Sequence, residues 1–165
     1  MVDSKFFKGE SKTVEFKAKL PDKSETYMKT IIAFANTSGG KLIIGIDDNK
    51  SIIGIDKDNI FEIMDKVTNA ISDACEPQIV PDISFKTVED KCILVIEIYP
   101  GANRPYYLKN KGKERGTYIR SAATSRLADS DKIRELEMEG KNISWDEQIC
   151  MGYEVTKEAI DKLCS

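Results

Sequence analysis

Residues 33–56 read AFANTSGGKLIIGIDDNKSIIGID, and the order of elements around the glycine pair limits the fold more than any other stretch. Met28, Ile31, Ile32, Phe34 and Ala35 recur at helical spacing ahead of the glycines. LIIGI behind them is short, β-branched and bounded by turn formers, so the order is helix, glycines, strand. A P-loop or dinucleotide turn needs the reverse order, because free N–H groups at a helix N-terminus must face the anion. Gly39 and Gly40 are therefore read as the stop after a helix, where glycine reaches the left-handed region without a Cβ penalty. Asp48, Asn49 and Lys50 fit a turn, and IIGI is read as the returning strand of a hairpin over residues 41–55.

The same logic runs along the rest of the chain. ESKTVEFKAKL alternates Val14 and Phe16 with polar neighbours, as a half-buried strand does, and Pro21 ends it. A helix is expected from Ser24, read as its N-cap, to Thr37, and a second from about Asp58 to Ala74. DISFKTVE and KCILVIEIYP form a hairpin around Asp90, with Ile93, Val95, Ile96 and Ile98 central in a sheet. PYYLKN and GTYIRS read as two more strands flanking the loop KGKERG, and residues 129–138 as a further helix. The stretch after it is weakly periodic, with VTKEAIDKLC compatible with one short helix. The predicted class is α/β of the α+β kind, a mixed, largely antiparallel sheet of about six strands with two main helices. The expected organisation is one domain over residues 1–138, with 139–165 a linker or the start of a following region.

Composition removes whole classes of chemistry. The 165 residues contain no histidine, which excludes Ser-His-Asp and Cys-His nucleophile systems and His-ligated metals. Cys75, Cys92, Cys150 and Cys164 include no C-x-x-C pair, so a zinc knuckle or redox motif is not indicated and free thiols are expected. No apolar run approaches the roughly 20 residues of a membrane span, and MVDSKFFKGES lacks a secretory h-region. A cytoplasmic location with no membrane association is the expectation.

Net charge is −3, yet residues 101–126 carry seven basic side chains against Glu114 alone. These are Arg104, Lys109, Lys111, Lys113, Arg115, Arg120 and Arg126. Residues alone leave two readings open: a solvated hairpin kept soluble by its charges, or a surface for phosphate. Tyr106, Tyr107 and Tyr118 are interleaved with the cations and could stack on unpaired bases or fill the core. Tyr118 and Arg120 share one strand face, whereas Tyr106 and Tyr107 cannot both point the same way.

ESKTVEFK, AFANTSGGKLIIGIDD with Gly54 after it, and RGTYIRSAATSR together resemble the Schlafen-type Alba-like domain. That domain is found at the N-terminus of bacterial and archaeal proteins described as transcriptional regulators or helicase-like ATPases, and in animal Schlafen proteins. The resemblance covers residues 8–138. It implies an Alba-like fold and a nucleic-acid-binding module, the N-terminal DNA-binding domain of a transcriptional regulator, with DNA or RNA as partner. The expected contacts are Lys12, Lys17, Lys19, Arg104, Lys109, Lys111, Lys113, Arg115, Tyr118, Arg120 and Arg126, and a homodimer is compatible with this reading.

In animal members with ribonuclease activity the resemblance implies a three-carboxylate metal site, matched here at Glu10, Glu15 and Asp48. Oxygen-only ligands would favour Mg²⁺ or Mn²⁺, which could activate water without histidine. Glu10 and Glu15 are five apart and would face opposite sides of one continuous strand, so they converge only if Glu10 precedes the strand on a turn. The chain lacks the Cys/His zinc site of those proteins and carries one copy of the fold where they pair two. The reading adopted is therefore binding without catalysis and with no assigned cofactor, the ribonuclease and a protein-interaction domain being the alternatives.

Overall fold

The computed structural model describes residues 11–152, with side chains through residue 141. Its centre is a four-stranded sheet in the order β1 (Val14–Lys17), β2 (Gly40–Ile44), β5 (Lys91–Ile98), β4 (Asp82–Val88). β1 runs parallel to β2, and the other pairs are antiparallel. Leu42, Ile44, Leu94 and Ile96 point to one face and pack with helices α1 (Ser24–Ala35) and α2 (Ile60–Ala74). Phe16, Ile43, Ile93 and Val95 form a smaller cluster on the other face with Ile46 and Ile52. Each such buried side chain contributes about 1.5–3 kcal/mol.

The remaining strands leave this sheet. β3 (Cys75–Glu76) pairs with β6 (Tyr107–Leu108), and β7 (Tyr118–Ser121) pairs with β8 (Thr124–Leu127). The strands are thus divided between a four-stranded sheet and two ribbons within the expected α+β, Alba-like class. KGKERG, read as a loop, contains the short helix α3 (Gly112–Gly116). Helix α4 (Ser130–Gly152) is preceded by Asp129, whose Oδ1 accepts the Lys132 N–H at 2.8 Å as an N-cap does. Cys75 and Cys92 are buried free thiols, and burial pushes the Cys75 thiol up. Cys150 lies where only backbone is described, and the whole of VTKEAIDKLC, with Cys164, lies outside the described residues.

Two local expectations are corrected. Ser24 is not the N-cap of α1; Lys23 takes that place without a side-chain bond, and the helix is held by burial of eight of its twelve residues. The returning strand IIGI does not form, because β2 already has β1 on one edge and β5 on the other. Only single bridges remain, Ile46 with Ile52 and Ile55 with Cys92. Asp47, rather than Asp48, organises the turn, its Oδ1 accepting the Asn49 and Ser51 N–H groups at 2.9 and 2.8 Å.

The signature AFANT-x-GG has a physical account in this frame. Asn36 is 1% exposed; its Nδ2 donates to the carbonyls of Tyr106 and Tyr118 at 2.9 Å each, and its Oδ1 accepts the Tyr106 N–H at 2.7 Å. One amide thereby ties the end of α1 to the segments entering β6 and β7. Gly39 has φ +79°, and an added Cβ would sit 2.7 Å from the Ile98 carbonyl oxygen. A Cβ on Gly40 would lie 2.6 Å from the Phe34 ring and 2.8 Å from the Thr13 carbonyl oxygen. Gly39→Ala and Gly40→Ala should each cost about 1–3 kcal/mol, from backbone strain and overpacking respectively. Urea melts measure this, and polynucleotide affinity of the folded fraction should be unchanged. Lost affinity at wild-type stability would instead return these glycines to a phosphate cradle.

Candidate nucleic-acid interface

β7 alternates, with Tyr118 and Arg120 turned inward and Ile119 half-exposed. The inward face lies against α1, and there Arg120 meets a set of acceptors. Its Nη1 donates to Glu15 Oε1 at 2.8 Å and to Ser125 Oγ at 3.1 Å. Its Nε and Nη2 reach the Ser11 carbonyl at 3.3 and 2.9 Å, and Nη2 also lies 3.3 Å from the Val14 carbonyl. The guanidinium stacks over the Phe34 ring at 5.1 Å, and the side chain is fully buried. Arginine suits such a place because its planar fork presents fixed donors and is weakly hydrated.

Arg120 and Tyr118, expected on the binding surface, therefore belong to the interior. Arg104 is corrected likewise: it pairs with Glu139 at 2.8 Å, donates to the Thr37 carbonyl, and has a side chain only 14% exposed. Tyr106 is 5% exposed, so the aromatic positions read as stacking faces mainly fill the core. Tyr107 is half-buried and donates to Glu76 at 3.2 Å.

The other cations stay outside. Lys109, Lys111, Lys113 and Arg115 are exposed along β6–α3, and Arg126 is exposed on β8. Lys111 pairs with Glu25 at 2.6 Å, and this hydrogen bond holds Glu25 below the usual carboxylate range and raises Lys111. Lys113 pairs with Glu137 at 3.3 Å. Lys109, Arg115 and Arg126 have no ion pair among the described residues. Arg115 lies in the last turn of α3, just ahead of β7, and Arg126 lies opposite Ile119 on the outer side of the ribbon, away from Arg120. Lys12 and Lys19 are exposed, and Lys17 is half-buried, 3.7 Å from Glu15. Sequence reasoning missed Lys29, whose ammonium sits 5.6 Å over the Tyr118 ring; no spacing rule links residues so far apart.

A cleft of about 510 Å³ at the end of the sheet includes Lys41, Lys86, Glu97 and the 56% exposed Tyr99. Glu97 lies opposite Lys41 on β2 and opposite Asp82 on β4, so carboxylates accompany the lysines at this end of the sheet.

The three carboxylates do not form a described cluster. Glu15 lies on the helix side of β1, opposite Leu42, with Oε1 on Arg120 and Oε2 accepting the Thr30 hydroxyl at 2.8 Å. Asp48 is exposed in the turn beyond β2, and Glu10 lies outside the described residues. Among the described residues no group of three or more His, Cys, Asp or Glu could hold a metal ion. A divalent cation on Glu15 would meet the buried guanidinium at close range, so this carboxylate does not fit the Mg²⁺ or Mn²⁺ site that the resemblance implied.

A mixed four-stranded sheet backed by two helices, with a basic ribbon strapped on by a buried arginine, defines an Alba-like α+β domain. The chain belongs to the Schlafen AlbA_2 family, whose model matches residues 10–129. Among solved structures it is similar to the DIP2311 protein of Corynebacterium diphtheriae, at 22% identity and TM-score 0.56, over 75% of this chain and 26% of that one. It is similar as well to the N-terminal domain of a RecG-related protein of Nitrosomonas europaea, at 22% identity and TM-score 0.53, over 75% of this chain and 87% of that domain. The chain thus spans about a quarter of the length of the Corynebacterium protein.

Breaking the buried pair is the direct check of this arrangement. Arg120→Met should lose about 3–5 kcal/mol of stability, because it strands the Glu15 carboxylate without a partner. Arg120→Met combined with Glu15→Gln should lose less than the sum of the singles, by about 1 kcal/mol or more. Denaturant unfolding of the four proteins measures both. An Arg120→Met protein within about 0.5 kcal/mol of wild type would mean that the arginine sits on the surface.

Proposed function

We infer that this chain is a nucleic-acid-binding module, the N-terminal DNA-binding domain of a transcriptional regulator. Backbone phosphate is held on the outer side of the β6–α3–β7–β8 region, by Lys109, Arg115 and Arg126, with Lys111 and Lys113 recruited from their ion pairs. Lys12 and Lys19 assist. The observation that carries this reading is that Lys109, Arg115 and Arg126 stand exposed and without an ion pair among the described residues, in a chain whose net charge is −3. Cations brought together inside an acidic protein form a local positive field that attracts a polyanion without reading its bases.

The family and the name of the Nitrosomonas relative, which links it to an ATP-dependent DNA helicase, support a nucleic-acid partner. Among the described residues no helix is long and apolar enough to cross a membrane, which agrees with a cytoplasmic place of action. Cleavage is not part of this reading, because Glu15 is already neutralised by Arg120.

Polynucleotide affinity should fall with salt at a logarithmic slope of about −2 to −3, since each of roughly three phosphate contacts releases counterions worth about −0.7 to −0.9. Arg115→Ala and Lys109→Ala should each shallow the slope by about one unit, and Lys66→Ala on α2 should leave it unchanged. Fluorescence anisotropy of a labelled oligonucleotide across a salt series reads this. Affinity that is flat from low to moderate salt would favour the protein-interaction reading instead.

A further inference from the structure

β4 is an edge strand: β5 pairs with one side, and among the described residues nothing pairs with the other. The unpaired side has a definite set of groups. Glu89 and Asp90 have φ of +52° and +63° between the paired residues Val88 and Lys91, the geometry of a two-residue hairpin turn. In such a turn the flanking pair is hydrogen-bonded, so Val88, Lys86, Ser84 and Asp82 direct their backbone groups at β5. Independently, the Cys92 carbonyl accepts the Ile55 N–H at 2.7 Å and so points away from β4, which makes Cys92–Thr87 a non-bonded pair. Both observations leave the N–H and C=O groups of Ile83, Phe85 and Thr87 facing outward.

This edge also carries apolar surface. Phe85 is 45% exposed and meets Phe61 of α2, 65% exposed, edge to face at 5.9 Å. A long, regular edge beside contiguous aromatic surface is a template for another strand.

We propose that β4 pairs antiparallel with β4 of a second copy of this chain, about a two-fold axis through Phe85, joining two four-stranded sheets into one. The edge is complementary to itself. With Phe85 opposite its own symmetry mate, Ile83 falls opposite Thr87, so all three outward-facing residues on each copy exchange both backbone bonds. Sliding by two residues toward the start of the strand would set Thr87 opposite Pro81, which has no N–H to donate. The two Phe85 side chains and the flanking Phe61 rings then cover one another on the helix side. On the opposite face Asp82 of each copy lies diagonal to Lys86 of the other, a spacing of about 7–8 Å that long side chains bridge. Like charges are not opposed in this register. Pairing of this kind is isologous and closes as a dimer.

Two substitutions test the proposal without touching the core or the basic ribbon. Phe85→Lys sets two like charges on the axis, and Thr87→Pro removes an outward donor while leaving the β4–β5 bonds intact. Analytical ultracentrifugation of the 165-residue chain should show mass rising from monomer toward dimer over about 1–500 μM. Either variant should weaken self-association at least tenfold, with circular dichroism and melting unchanged. A wild-type chain that stays monomeric throughout, or a dimer that persists in a folded Thr87→Pro protein, would overturn the proposal.

Discussion

A guanidinium with no solvent exposure has to find its partners inside the protein, and the partners of Arg120 come from β1, α1 and β8. The carbonyls of Ser11 and Val14 and the carboxylate of Glu15 bring β1, an edge strand, to the arginine. Phe34 supplies the ring beneath it and Thr30 orients the far carboxylate oxygen. Removing one charge would leave the other desolvated, which makes the pair costly to break even where its net contribution to folding is modest. The basic ribbon is therefore set on the domain in one orientation, with Arg126 directed away from α1 and toward solvent.

Asn36 performs the neutral counterpart of this task at the other end of β7. Its three hydrogen bonds satisfy backbone groups of Tyr106 and Tyr118 that leave the main sheet and would otherwise be buried without partners. The glycines after it allow the chain to turn and return as β2 directly beneath Phe34. In this chain the AFANT-x-GG stretch thus fastens the ribbon, and Gly39 and Gly40 permit the close packing around it.

Much of this was legible in the sequence where local pattern and tertiary role agree. Helical spacing marked α1 and α2, and alternation with Asp90 at the turn marked the β4–β5 hairpin. Pattern misled where a strand's neighbours decide its fate: IIGI resembles a hairpin arm, but β2 had no free edge left for it. Charge misled in the same way at Arg104 and Arg120, since a count of cations does not say which side of a strand each occupies. The signal that would have placed Arg120 was present in YIRS, because an arginine two residues from a buried tyrosine shares its inward face. Its partners, Ser11, Glu15 and Ser125, lie too far apart in sequence for any spacing rule to gather. Asp48 stands exposed in its turn, whereas Glu15 is paired with the buried Arg120, a difference of surroundings that the letters alone do not carry.

The central claim is a division of the basic segment into an interior arginine that fastens the ribbon and exposed cations that meet phosphate. Titration of the isotopically labelled chain with a short oligonucleotide, followed through the arginine side-chain Nε–Hε resonances, tests it in one measurement. The account predicts that the signals of Arg115 and Arg126 shift and broaden while that of Arg120, protected from solvent exchange, stays in place. An Arg120 resonance that moves with the oligonucleotide while Arg115 and Arg126 remain still would contradict it.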